Sequence, residues 1–549
     1  MWLPLAFFGV LWADLIRQLG YTWEADEQYA FGWFVPFLAL GLFWRRWMTR
    51  PAASLPEGRR QKAEDGWQTP HSASKFQLSA FSFQLCAIFC ALALLPLRVV
   101  YEINPDWPLC SWVMALSVVA ISLYAVFLAG GWKWVRHFAF PVCFILAAVQ
   151  WPYRIEHGLT QGLMRVVAAS TVELLGWFNI PAFQHGNLIE VSTGVVGISE
   201  ACSGIRSFQS TFMAALFLGE LNQLRWTRRL LLLAGGVAMA FCFNVVRTVT
   251  LTWRASAAGI AALEKWHDPA GLLIFFACFS CLWAVAVWFR KRQDQRTTGL
   301  RTTDQSSGSS TVSSLSASDG ERLGVRCNLQ PSFFLLAVGC WAILCLVTTE
   351  VWYRSHEVKD AGVFHWSAVL PEGNPTFQKI DMEPRTLQLL SFDSGATGKW
   401  QQADGTQWTL YFFRWLPRSI ESVIMSRIHR PDRCLPAAGL EQVSDSGIKY
   451  FTVGNLKLPF RRYVYEEDGK PLFVFFCQWE DGDEKQLGLQ GSNQTDRLRS
   501  VWVGRRVVGD QSLELLMTGY ATLDEADRAL AQHLPELIHL DDQPTTTRK

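Results

Sequence analysis

The stretch ISEACSGIRS, residues 198–207, opens a long apolar run with a thiol and a guanidinium, Cys202 and Arg206. Their spacing of four puts both on one face if a helix has already begun. Downstream, FNVVRTVTL carries Asn244 and Arg247, and KWHDPAGLLIF carries His267. A thiol reacts as its thiolate, and a helix N-terminus together with nearby cations lowers its pKa. Arg206 and Arg247 are the candidate cations. His267 could accept the thiol proton, or pair with the thiolate, and later protonate a leaving amine. An arginine that does not readily deprotonate suits donation to the oxyanion of a tetrahedral intermediate. Cys202, Arg247 and His267 together suit acyl transfer from a peptide bond through a thioester. Asn244 is placed to orient one of these groups, and Glu200 reads as a loop carboxylate.

Singly, each has a plain structural reading. A lone cysteine at a helix start is a small residue, and Arg247 could snorkel to an interface. His267, beside Asp268 and Pro269, could belong to an ordinary cap with proline in the first turn. What sets the three apart is where the apolar segments put them.

Half of the 549 residues are hydrophobic, with 26 Trp and 37 Phe, and only 18% are charged. An average soluble domain carries roughly 25% charged residues. This balance predicts a polytopic α-helical membrane protein with a soluble portion. A net charge of +2 gives no sign of a nucleic-acid partner. No metal cluster, phosphate-binding glycine loop or nucleotide motif is apparent, so no metal and no cofactor are expected. Most of the 13 cysteines lie in apolar runs and read as small hydrophobic residues, the CxxC pair Cys278 and Cys281 included.

A membrane-crossing helix needs roughly 20 mostly apolar residues. Candidate spans lie near 2–19, 31–47, 79–97, 109–129, 138–152, 205–221, 230–252, 270–289 and 332–352. The stretch 159–178, with Gln161, Arg165 and Glu173 among apolar residues, is expected to lie along the interface or to form one further imperfect span. Basic loops follow the second, fourth, sixth and eighth spans; the loops after the first and third, WEADE and YEINPDW, are acidic or mixed. Nine spans with a cytoplasmic N-terminus satisfy the positive-inside rule. That topology puts Cys202 at the outer boundary before the sixth span and Arg247 near the outer end of the seventh. His267 then falls in an external loop just before the eighth. Three reactive side chains from consecutive spans reach one level.

Residues 1–290 form the expected membrane domain, followed by a Ser/Thr-rich cytoplasmic linker at 291–330. A further span at 331–352 leads out to a mixed α/β domain at 353–549. Its strands are read from QWTLYFFRWL and FRRYVYEEDGKPLFVFFCQW, and a helix from LDEADRALAQHLPELIHL.

EACSGIRS, FNVVRTVTL and HDPAGLLIF, in this order on successive helices, closely resemble the three motifs of the exosortase/archaeosortase family. YAFGWFVPFLALGLFWRRW resembles its early segment, and the resemblance covers roughly residues 1–290. It implies a multi-span cysteine transpeptidase or protease of the inner membrane. Its partners would be the bilayer and exported proteins whose C-terminal sorting signals, of the PEP-CTERM type, combine a short motif, an apolar helix and a basic tail. Carried over, Cys202 is the nucleophile, Arg247 the transition-state stabiliser, His267 the general acid/base and Arg206 a supporting residue. SRIHRPDRCLPAAGLEQ, with Arg427, His429, Pro431, Cys434, Leu435 and Pro436, resembles the exosortase-associated C-terminal domain of exopolysaccharide loci. That adds the exopolysaccharide machinery as a partner. An accessory thiol chemistry at His429 and Cys434 is weighed against a structural turn, and an oxidising compartment permits a Cys434–Cys477 disulfide. Two alternatives stay open: a non-enzymatic component of polysaccharide export, and a membrane protease that releases its product to water.

Overall fold

In the computed structural model, the described residues are 2–51, 70–197, 204–304, 329–356, 366–382, 386–387, 390–416, 424, 427, 430–437, 440–467, 469–480, 498, 501–502, 504 and 509–540. The first half is helical: α1 (Trp2–Ala25), α2 (Val35–Met48), α3 (Pro70–Ile103), α4 (Pro108–Cys143) and α5 (Tyr153–Trp177). Three short strands follow, β1 (Ala182–His185), β2 (Leu188–Val191) and β3 (Gly194–Gly197). Then come α6 (Ile205–Leu221), α7 (Trp226–Ala258), α8 (Ile260–Asp304) and α9 (Leu329–His356).

Six of these segments are long and apolar enough to cross a membrane: Trp2–Ala25, Phe81–Ile103, Pro108–Ala148, Trp226–Ala258, Pro269–Gln295 and Pro331–His356. The protein is therefore a polytopic helical membrane protein with a distinct sheet-rich region. The fourth and fifth expected spans share α4. Straight, Pro108–Ala148 would extend about 61 Å at 1.5 Å per residue, twice the hydrocarbon thickness. Instead it breaks at Gly131, whose φ of 70° and ψ of −166° only glycine adopts readily. Trp112 Nε1 donates to Gln150 O at 2.8 Å, so the chain doubles back between them. At 14 and 17 residues, α2 and α6 are shorter than those six segments. The stretch expected to be interfacial or to be an imperfect span is the 25-residue α5, which packs on α7. Helix α8 continues to Asp304, so the first part of the expected linker is helical, while 305–328 lie outside the described residues.

Polar anchors fix the bundle from within. Arg98 on α3 sits 3.4 Å from Asp14 of α1 and also pairs with Glu102, all three side chains being nearly buried. Trp23 Nε1 reaches Ala148 O at 2.9 Å, and Tyr101 donates to Gln18 O at 2.8 Å. Buried ionisable groups of this kind stay in membrane bundles when they pair with one another.

The C-terminal region adds β4 (Trp366–Ala368), β5 (Gln378–Lys379), β6 (Ser394–Gln401), β7 (Gln407–Trp415), the short α10 (Pro431–Ala437), β8 (Glu441–Val453), β9 (Leu456–Glu467), β10 (Lys470–Glu480), β11 (Asp510–Thr518), α11 (Leu523–Leu537) and β12 (Ile538–Leu540). Seven strands form one antiparallel sheet in the order β5-β6-β7-β11-β10-β9-β8, and β12 pairs with β4. One face packs Leu513, Leu515 and Met517 against Ala526, Leu530 and Leu534 of α11. The other gathers Tyr463, Tyr465, Val474 and Phe476 under Leu435 of α10. Cover on both faces explains why β10 reads as a continuous apolar run rather than an alternation. At the start of α11, Thr522 accepts from Glu525 N while Glu525 accepts from Ala521 N, a capping box.

Candidate active site

Cys202 falls in 198–203, outside the described residues, but the backbone on either side is defined. Strand β3 ends at Gly197 and α6 begins at Ile205. Gly204 caps the helix with a φ of 81°, in the left-handed region. A Cβ at Gly204 would lie 2.6 Å from Asn244 Nδ2 and 2.8 Å from its Cγ. Only glycine satisfies both the turn and that approach. The cysteine thus precedes the helix by three residues. The shared helix face expected for Cys202 and Arg206 falls partly on residue 202 and so lies outside the described residues. Arg206 itself, on the first turn of α6, is exposed.

Helix α7 supplies the next layer. Asn244, Arg247, Thr248, Leu251, Thr252 and Ala255 are buried at helical spacing along one stripe. Arg247 is only 8% exposed. A Cβ at Gly271 of α8 would lie 3.3 Å from Arg247 Nη2 and 3.5 Å from Cζ, so the guanidinium rests against bare helix backbone. Residue 267 lies one turn earlier on α8. The expected loop before the eighth span is absent: a single residue, Gly259 (φ 86°), separates α7 from α8, and His267 and Pro269 stand inside a continuous helix. Proline is tolerated there because neighbouring groups in a bundle can satisfy the backbone carbonyl it leaves without its usual donor. One glycine on each side therefore brings α7 close to the start of α6 at Gly204 and to α8 at Gly271, one turn after residue 267.

The small sheet ends at Gly197, just before residues 198–203, and its strands were not among the expected elements. Its four-residue strands are too short for an alternation to register. Ile189, Val191 and Val196 pack against Val245 and Ala255 of α7 and Met164, Val167 and Ala168 of α5. Thr193 Oγ1 donates to Ala255 O at 2.8 Å, latching the β2–β3 turn to α7. At the opposite end of the sheet, Leu188 pairs with Gly197, five residues before Cys202 in the chain.

Residues 23–284 match the family model of the transmembrane exosortase, Exosortase_EpsH. The match contains Cys202, Arg247 and His267, so the membrane half of the chain is similar to that family. No curated protein and no solved structure matches.

Beside Arg206, on the same α6, lies a polar cluster the sequence left unmarked. Gln209, 3% exposed, is seven residues after Cys202. Its Nε2 donates to the Tyr29 hydroxyl at 3.4 Å, and Tyr29 in turn accepts from Trp151 N at 2.8 Å and donates to Glu156 at 3.0 Å. Burial first, and then the Glu156 carboxylate, push the Tyr29 pKa up, which keeps the phenol a donor. The cluster ties α6 to α5 and to the 3-10 turn Glu27–Phe34. The acidic-aromatic loop before α2 was the legible signal for it.

In the distal motif, His429 lies outside the described residues. Cys434 is exposed on α10, whereas Cys477 is buried and faces the α11 side of the sheet. The Cys434–Cys477 disulfide is not formed, because the sheet lies between the two residues. Burial, with Asp510 adding to it, pushes the Cys477 thiol pKa up and makes it unreactive.

Proposed function

We propose that this protein is a membrane cysteine transpeptidase that removes C-terminal sorting signals from exported proteins at the outer face of the inner membrane. The observation that carries the reading is the seat of Arg247. It is buried between an asparagine that touches Gly204, two residues from Cys202, and a glycine one turn from His267. In this reading the Cys202 thiolate, at the mouth of α6, attacks the scissile carbonyl. The oxyanion that forms accepts hydrogen bonds from the Arg247 guanidinium. His267 protonates the leaving amine, and a thioester links the substrate to Cys202. An acceptor nucleophile then takes the acyl group and the thiolate leaves. Arg206 supports from the exposed first turn.

The nine-span topology belongs to this proposal, with α2 and α6 as short passes and α4 as two. Residues 353–549 are then the exosortase-associated domain on the outer side. Replacing Cys202 by Ala in the full chain should abolish removal of tails that combine a short motif, an apolar helix and a basic end. Arg247→Lys should lower turnover by about 10²–10³, the usual cost of one oxyanion donor. Tail removal persisting in cells that make only the Cys202→Ala variant overturns the reading. Mass spectrometry of the new C-terminus reads the final step: an attached acceptor marks transfer and a free carboxylate marks hydrolysis.

A further inference from the structure

The C-terminal domain is fastened to the membrane half at the end where the candidate site lies. Arg427 is 7% exposed, and its Nη1 donates to Ile103 O at 2.9 Å and lies 3.3 Å from Asp106 Oδ1, in the connection between α3 and α4. Nine residues on, Pro436 O accepts from Asn187 Nδ2 at 3.4 Å. Asn187 is itself buried and also donates to Gln161 of α5 at 2.7 Å. Between these contacts, Tyr465 donates to Pro431 O at 3.0 Å and Leu435 packs on the sheet, so α10 belongs rigidly to the C-terminal domain. A third tie runs from Trp352 Nε1 of α9 to Val501 O at 3.3 Å.

The place of Asn187 gives these ties a consequence. It sits in the β1–β2 turn, next to Leu188, whose partner across the sheet is Gly197. Gly197 is the last sheet residue, five positions before Cys202. The far end of the sheet is latched to α7 by Thr193, but this end meets the C-terminal domain. A three-stranded sheet of four-residue strands has little stability of its own. Its register, and so the place of Gly197, depends on what holds its two ends.

We propose that the C-terminal domain braces the β1–β3 sheet, whose last residue, Gly197, is five positions before Cys202, with Arg427 and Asn187 as positioning residues for the reaction at Cys202. The domain is a working part of the enzyme rather than a separate binding module. Arg427 suits the task because the two hydrogens of its Nη1 serve a carbonyl and a carboxylate together, on a guanidinium that stays charged. Loss of one buried charge-assisted contact is enough to shift a local opening equilibrium by about tenfold. The inference rests on the transpeptidase reading, and its test has one readout that does not.

In full-length protein in membranes, Arg427→Ala should speed amide hydrogen exchange in residues 186–197 by about tenfold. It should lower kcat for tail removal by a similar factor and leave KM within twofold. Arg427→Lys should recover much of both. Asp106→Asn, a milder change that keeps the domain folded, should move both readouts in the same direction by a smaller factor. Unchanged exchange in 186–197 in both Arg427→Ala and Asp106→Asn overturns the brace, whatever happens to activity. Faster exchange with unchanged kcat overturns the positioning role. If the unaltered protein removes no tail, the transpeptidase reading fails, and the exchange readout still decides whether the domain braces the sheet.

Discussion

Helices α6 and α7 carry a buried cluster at each end, built on opposite principles. At the end where α6 stops, Glu220 is 3% exposed and holds two guanidiniums, Arg46 Nε at 2.8 Å and Arg229 Nη1 at 2.7 Å. Opposite charges lock α2, α6 and α7 there. At the other end, Gly204 meets Asn244 and Gly271 meets Arg247, and the helices approach because no Cβ stands between them. Charge fixes the first cluster and shape the second. A charge lock tolerates small shifts, since Coulomb attraction falls off slowly with distance. A shape lock holds groups to within tenths of an ångström, which is what a reacting site needs.

The sharpest way to break the comparison is Gly204→Ala. The new Cβ meets Asn244 at 2.6 Å and must adopt a left-handed φ of 81°, so tail removal should fall at least 10²-fold. Protein amount in membranes should change little. A turnover within threefold of normal would show that the approach does not matter. Glu220→Gln should do the reverse. Two arginines, each with a quarter of its side chain exposed, lose their shared carboxylate, which costs about 2–3 kcal/mol after discounting the full penalty for burial. Thermal unfolding in detergent should shift down, while kcat per folded molecule stays near normal.

Gly271→Ala is gentler than Gly204→Ala. Its Cβ would lie 3.3 Å from the end of a long side chain that can yield by a few tenths of an ångström. About a tenfold loss of kcat with KM retained is expected from steady-state kinetics. The smallest effect concerns a charge in the C-terminal sheet, away from both clusters. Burial pushes the Glu514 carboxyl up to about 7, between Tyr411 and Phe476 on the neighbouring strands. A raised carboxyl pKa gives stability that is complete below the unfolded value near 4.5 and is lost as pH rises through about 7. Glu514→Gln should therefore raise the domain's Tm at pH 8 by about 2–4 °C, as expected for about 1 kcal/mol at a partly exposed site. At pH 4 the two proteins should unfold alike.

Much of the scaffold was legible because length and apolarity are local properties. The expected span 205–221 coincides with α6, and 230–252 and 332–352 lie inside α7 and α9. The strands β7, β9 and β10 and the helix α11 also fall on the stretches read for them. The reversal at Gly131 is readable as two spans but not as one interrupted helix, since a glycine in a long apolar run has no single meaning. His267 does stand just before the apolar segment Pro269–Gln295, but the short loop expected ahead of it is helix. A proline after a polar pair marks a helix start in water, and only the packing of α8 against α7 and α6 shows it inside a helix.

Chemical type and order along the chain were set by the sequence alone: a thiol, an arginine and a histidine on successive apolar segments, and a sheet domain after them. Those facts follow from composition and spacing. The tertiary structure decided how close the groups stand and what holds them. Gly204 and Gly271 are informative only once Asn244 and Arg247 are seen against them. Arg427 and Asn187 become partners in positioning only when the C-terminal domain is docked. The physical reason is the same in both cases. A contact between residues 24 to 324 positions apart depends on packing at both ends, and neither local pattern carries that information.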